Sequence, residues 1–219
     1  MKYLVFTLIA IFMSVMLILY LKRVEIIVSV KKEDINEFRK NSLIVYGIFG
    51  ISIILFVFFQ IILFSNTDII SMLKYLFLLL LLTEAAIIDK AKKIIPNELI
   101  IAGLLIRGIF YIIEFFVSEN LLETLKSDML GLVLGFGVLA VVSVITKQGL
   151  GFGDVKLFGI IGIMGGVMCT YATLFFSILV SAVVSIILLL SRKKNRKDTI
   201  PFGPCILIGY ILVIILGSY

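Results

Sequence analysis

Between Lys156 and Arg192 the chain carries no charged residue for 35 positions. As one straight helix at 1.5 Å per residue that run would be about 52 Å long, well beyond the ~30 Å hydrocarbon core of a bilayer. The segment is therefore expected to fold back once. The reversal is expected between Gly165-Gly166 and Thr170, giving a short Gly-rich span and a second one at about 171–190. The rest of the chain has the same character. Of its 219 residues 62% are apolar and 16% charged, with a mean hydropathy of +1.23, against about 45–50% and about 25% in soluble domains. So little polar surface cannot cover a water-facing globule, and lipid must be the solvent for most side chains. Soluble, disordered and collagen-like classes are excluded together.

Further apolar runs lie at 3–21, 43–64, 69–88, 99–117, 130–145 and 204–217, so an all-α integral membrane protein of about eight spans is expected. The first run follows a single Lys2 and precedes Lys22-Arg23 without a small-residue cleavage pattern, and reads as a retained anchor helix rather than a signal peptide. Basic residues cluster in alternate loops. Lys22, Arg23, Lys31 and Lys32 lie in the first, Lys90, Lys92 and Lys93 in the third, and Arg192, Lys193 and Lys194 in the seventh, while Lys147 and Lys156 flank the fifth. The opposite loops carry Asp68, Glu119, Glu123 and Asp128 against little more than Lys74 and Lys126. The positive-inside rule then makes loops one, three, five and seven cytoplasmic and puts both termini outside. The net charge of +6 reports this topology and anionic lipid rather than a nucleic-acid partner. The localisation expected is the plasma membrane, multi-pass.

The chain has no histidine, which removes His-dependent triads, proton shuttles and His metal ligands. Cys169 and Cys205 both lie in apolar stretches, which argues against a disulfide framework and a Cys-based zinc site. No metal and no cofactor is expected, and carboxylates are left for acid–base work. Two of them sit at span ends on the same expected face. Asp89 closes the third span just before Ile95-Pro96-Asn97, where Pro96 suits a first helical turn. Asp154 opens the sixth in Gly149-Leu150-Gly151-Phe152-Gly153-Asp154-Val155-Lys156. Two carboxylates converging in a partly dehydrated site cannot both ionise cheaply, so the pair can hold one proton. An aspartic protease uses such a pair: one Asp takes a proton from water while the other gives one to the scissile carbonyl oxygen. Gly151 and Gly153 would let a substrate backbone approach closely.

Taken singly, these residues have other readings. Asp154 at a helix start is a natural cap, and Asp89 beside lysines suits a solvated loop end. The pair would equally serve a proton- or ion-coupled transporter, although transport sites tend to lie near the midplane between inverted repeats and no repeat of this region is visible.

Asp89 with Ile95-Pro96-Asn97, then Gly-Phe-Gly-Asp-Val-Lys-Leu at 151–157, then Pro201-Phe202-Gly203-Pro204 at the start of the last span, resembles the type IV prepilin peptidase family of GxGD membrane aspartic proteases. The resemblance covers about residues 75–217. It implies Asp89 and Asp154 as the catalytic dyad, with Gly151, Gly153, Lys156, Pro96, Asn97, Pro201, Phe202, Gly203 and Pro204 as substrate-binding or supporting residues. It further implies a type IV prepilin or pseudopilin leader as substrate, cut on the cytoplasmic side. The Gly-x-Gly-Asp element is shared with presenilin-like proteases of other specificity, whose Pro-Ala-Leu motif is missing here. Residues 69–219 are thus expected as a six-helix catalytic domain behind a two-helix region at 1–68. Larger family members carry Cys-x-x-Cys pairs and an N-methylating portion; no cysteine precedes Cys169, so this chain resembles a short form without zinc or methylation.

Three other features carry expectations. Glu84 and Arg107, both at membrane depth, are expected either to pair and brace spans three and four or each to snorkel to an interface. Lys156 is expected to support an ionised carboxylate or to bind lipid phosphate. Gly159, Gly162, Gly165 and Gly166 recur at helix-packing spacing, and Pro201 and Pro204 suggest an irregular turn or a Pro-marked start before the last span.

Overall fold

The computed structural model describes residues 68–117, 120–146, 150–191 and 200–217. The first two expected spans and the loop at 22–42 lie outside the described residues. The chain packs as two compact units, Met1–Leu76 and Phe77–Tyr219, and both Asp89 and Asp154 belong to the second. Every described element is helical: α1 (Ile69–Lys92), α2 (Asn97–Val117), α3 (Leu121–Leu132), a π-helical stretch (Val133–Val138), α4 (Leu139–Ile145), α5 (Phe152–Leu190) and α6 (Gly203–Leu216). α1, α2, the continuous run Leu121–Ile145 and α5 are each long and apolar enough to cross a membrane, and α6 is a shorter apolar helix.

α1 buries a continuous stretch, Leu78 to Leu82 with Ala85 and Ala86, so its middle turns are covered on every face. Its neighbours are amphipathic in the inverted sense suited to lipid. α2 buries Leu99, Gly103, Arg107, Phe110 and Glu114 and turns Ile101, Leu105, Ile109 and Ile112 outward. An apolar outer surface of this extent would drive aggregation in water and is satisfied by acyl chains.

The expected reversal of the long charge-free run is present, at Gly166. Its φ of 74° and ψ of −175° fall in a region that only glycine occupies at low cost. The two arms of α5 then lie side by side. A Cβ at Gly135 would touch both the Phe158 carbonyl and the Thr170 side chain, residues that a straight helix would hold about 18 Å apart. Farther down, Ser177 of the second arm packs on Gly209 of α6. The Val167 amide, which begins the second arm, donates to Ser127 Oγ at 3.3 Å.

Glycines set the helix separations. A Cβ at Gly131 would come within 2.5 Å of the Gly162 carbonyl oxygen and 2.8 Å of the Gly166 carbonyl carbon, so α3 and the first arm of α5 meet backbone to backbone. The π-helical turn at Val133–Val138 continues that contact through Gly135; an extra residue per turn is a common device where a helix must stay in register with a close neighbour.

Two polar expectations do not hold. Glu84 and Arg107 do not pair, and neither snorkels, since both are buried. Arg107 turns instead to Asp128 of α3, with which it makes a hydrogen-bonded ion pair, and to Glu114, whose Oε2 lies 2.9 Å from Nη1. Its guanidinium stacks 3.7 Å over the Tyr111 ring, and Tyr111 Oη donates to Asp128 Oδ2 at 3.0 Å. Arg107, Tyr111 and Glu114 are spaced to share one helix face. Asp128, read from sequence as a loop charge, is therefore an internal residue of α3. The physical reason is that Arg107 reaches carboxylates on its own face and the facing helix more directly than it reaches Glu84, whose Oε1 is buried with no hydrogen-bond partner.

Candidate active site

Asp89 lies in the last turn of α1. The helix ends because Lys93 takes a left-handed conformation (φ 56°) and its amide bonds back to the Asp89 carbonyl at 2.7 Å, a common helix-ending arrangement. Lys90 and Lys92 in that turn suit the negative end of the helix dipole. The Asp89 side chain is buried.

Asp154 lies in the first turn of α5, after the extended N-cap Gly151, whose carbonyl accepts the Asp154 amide at 3.0 Å. The carboxylate folds back over that cap: a Cβ at Gly151 would be 3.0 Å from Asp154 Oδ2. Gly153 is needed for a different contact. A Cβ there would press to 3.1 Å on Ile95, so this glycine lets the loop after α1 seat against the start of α5. The loop is held a second time where Lys156 Nζ donates to Asn97 Oδ1 at 2.8 Å. Ser143 Oγ ties down the approach to Gly151 by donating to the Leu150 carbonyl at 2.9 Å.

These restraints bring the two aspartates together. Ile95, in the loop that follows Asp89, seats on Gly153 beside Asp154, so the end of α1 lies against the start of α5. The third participant is the start of α6, where the Gly203 amide donates to Asp89 Oδ2 at 2.8 Å. Phe202, the residue before that helix, packs its ring 6.3 Å from Phe158. The outcome is two carboxylates at the ends of two helices, a helix N-terminus aimed at one of them, and the buried thiol of Cys205 in the first turn of that third helix. Among the described residues no cation pairs with either carboxylate: the Lys156 ammonium is directed to Asn97 and stands 5.5 Å over the Phe152 ring.

Of the residues singled out in the sequence, Asp89, Asp154, Gly151 and Gly203 meet at this point. Gly153, Asn97 and Lys156 form its support. Lys156 takes a role neither expectation described, since it joins α5 to the start of α2. Pro96 immediately precedes α2 instead of occupying its first turn. Pro201 precedes α6 among the non-helical residues 200–202, and Pro204 sits inside the first turn. Cys205 and Ser143 were not recognised, and neither has a sequence pattern that announces it: one is a thiol in an apolar run, the other a hydroxyl mid-helix.

Residues 76–186, which carry both aspartates, match the type IV leader peptidase family. The chain belongs to that family. Among curated proteins it is similar to the prepilin leader peptidase/N-methyltransferase of Bacillus subtilis (strain 168), at 33% identity over 141 residues, covering 63% of this chain and 53% of that protein. It is also similar to the protein of the same name from Pseudomonas putida, at 30% identity over 139 residues, covering 63% of this chain and 47% of the relative. The chain thus spans about half the length of the curated relatives it matches. No solved structure matches it.

Proposed function

We propose that the chain is a membrane aspartic endopeptidase that removes the N-terminal leader of type IV prepilins or pseudopilins. The observation that carries this reading is that the helix end bearing Asp89 packs against the helix start bearing Asp154 inside the segment matched to the leader peptidase family. A pair of nearby carboxylates holding one proton supplies both halves of an acid–base hydrolysis. One takes a proton from water as its oxygen bonds to the scissile carbonyl carbon, and the other protonates the carbonyl oxygen. Collapse then breaks the C–N bond, with the first proton passing to the departing amine.

The rest of the reading follows from where the pair sits. Both aspartates lie at the ends of apolar helices that carry lysines nearby, which supports a site at the cytoplasmic face of the plasma membrane. Adding the two apolar runs before residue 68 supports eight spans with both termini outside, arranged as a two-helix region at 1–68 and a six-helix catalytic domain at 69–219. Prepilin leaders are the substrate partners proposed, and lipid is the other. Gly151 and Gly153 keep the backbone near Asp154 bare, Asn97 and Lys156 fix the loop after α1 against the start of α5, and the segment at 201–204 delivers an amide to Asp89.

Co-expression of a prepilin with the wild-type chain and with Asp89→Asn and Asp154→Asn tests this reading, scored as a leader-length shift on a gel with membrane expression verified. Loss of the shift in both variants is expected. Normal cleavage by either variant, or a well-expressed wild type that cuts no prepilin, sinks it.

A further inference from the structure

The first turn of α6 has few amide donors to offer. Pro201 and Pro204 carry no N–H, and the amides of Cys205 and Ile206 both donate to the Phe202 carbonyl, at 2.9 and 3.0 Å. The Gly203 amide is left over, and it is the one that donates to Asp89 Oδ2 at 2.8 Å, out of contact with solvent. The approach depends on the missing side chain, since a Cβ at position 203 would lie 3.0 Å from both Cβ and Oδ2 of Asp89 and 3.3 Å from Ala86 Cα. Asp154 is placed differently. It is less buried than Asp89, its Oδ2 lies over the bare Gly151 backbone, and among the described residues no group donates a hydrogen bond to its carboxylate.

We propose that the Gly203 amide divides the labour of the dyad: it holds Asp89 as the charged base that faces water and leaves Asp154 as the acid that carries the shared proton. The inference rests on the peptidase reading. A backbone N–H at a helix N-terminus favours negative charge on the oxygen that accepts it. With Oδ2 tied, Oδ1 of Asp89 is the oxygen left to accept a proton from water as the water oxygen bonds to the scissile carbonyl carbon. Asp154 gives its proton to the carbonyl oxygen in the same step. When the C–N bond breaks, Asp89 hands its proton to the departing amine and Asp154 recovers one from the hydroxyl. One water is consumed and both aspartates return to their starting states. Among the described residues, the titratable groups on the elements packed at Asp89 are Asp154 at the start of α5 and the buried Cys205 in the first turn of α6; on its own helix Glu84 lies deeper, and Lys90, Lys92 and Lys93 lie outward and exposed. No cation among these can replace the amide at Oδ2. Gly203 is accordingly a positioning residue that acts through Asp89.

The test replaces the Gly203 amide with an ester by incorporating glycolic acid at position 203, in the full chain made by cell-free synthesis in nanodiscs. Prepilin cleavage is then followed across pH. The expected result is a fall in kcat of about tenfold or more, KM unchanged within twofold, and an acidic limb of the profile moved to higher pH while the basic limb stays. A second ester at Ile206 removes a helix-start bond to Phe202 without touching Asp89, and is expected to leave the profile in place. A Gly203 ester with wild-type kcat and profile overturns the proposal, as does an Ile206 ester that moves the acidic limb equally. Labelling both proteins with 4-13C aspartate, with Asp89→Asn to assign the signal, reads the state of Asp89 independently of cleavage. An Asp89 signal of the acid form at neutral pH in the wild type overturns the assignment. A wild type that cuts no prepilin rejects the substrate reading alone, and the labelled spectra still decide the role of the amide.

Discussion

Two buried polar clusters stand about 18 Å apart along the first arm of α5, one at Asp154 and the other beside the Gly166 reversal. Both gather two acidic residues from neighbouring helices. Near Gly166, Asp128 and Glu114 surround Arg107, Tyr111 covers the guanidinium, and Ser127 holds the backbone of the second arm. At the other end a backbone amide donates to Asp89, and among the described residues no cation pairs with Asp89 or Asp154. The first arrangement matches charge with charge and leaves nothing to react. The second leaves negative charge poorly compensated, which is costly for folding and is the condition under which a carboxylate pair exchanges protons. On the proposed reading, the same side-chain chemistry serves architecture where a cation pairs with it and reactivity where none of the described residues supplies one.

The contrast can be broken first at the dyad. Asp89→Asn and Asp154→Asn are each expected to lower prepilin cleavage by about a thousandfold or more while the folded yield in detergent and the melting temperature stay near wild type; loss of folding in both would assign the dyad to architecture. Next in size, Arg107→Leu leaves Asp128 and Glu114 buried without their cation and is expected to destabilise the chain by about 3–5 kcal/mol, seen as a collapse in monodisperse yield. The triple change Arg107→Met, Glu114→Leu and Asp128→Leu, which removes the charges together, should recover most of it. If Arg107→Leu alone is neutral, the cluster is no brace.

A smaller effect is expected where the two regions are joined. Gly131→Ala forces a Cβ onto the Gly162 carbonyl, costing about 1–3 kcal/mol by overpacking, and thermal unfolding in nanodiscs should report it; an unchanged melting temperature would mean that the α3–α5 contact yields easily. The smallest is at Lys156. Lys156→Met breaks the bond to Asn97 and should lower kcat about fivefold with stability unchanged, with partial recovery in Lys156→Arg. A profile in which only KM rises would place Lys156 in substrate binding instead.

The two regions were not equally legible before the structure. Asp89 and Asp154 stand out because each is a lone acid at the edge of an apolar run, next to glycine or proline that marks a helix end. The fold-back at Gly166 was legible for a related reason, since 35 charge-free residues are too many for one crossing and only glycine tolerates the turn. The Arg107 cluster was not. Asp128 looked like a loop residue because hydropathy counts each charge at full cost, whereas a charge that meets an opposite charge inside the bundle, as Asp128 meets Arg107, loses part of that penalty. Glu84 drew attention as the nearest acid along the chain, but sequence separation says little about which helix faces which.

Sequence alone determined that this chain is built for lipid, that its long apolar run must reverse, and that Asp89 and Asp154 are acids at the ends of apolar runs. Those properties depend on composition, on the rise of a helix and on local backbone chemistry, each confined to a few neighbouring residues. Only the tertiary structure decided that Arg107 belongs to Glu114 and Asp128, that Lys156 clasps Asn97, and that the Gly203 amide reaches Asp89 across 114 positions of chain. Partners of that kind are set by how closely glycine faces let helices approach and by the rotation of each helix about its axis, and neither quantity is local to any stretch of sequence.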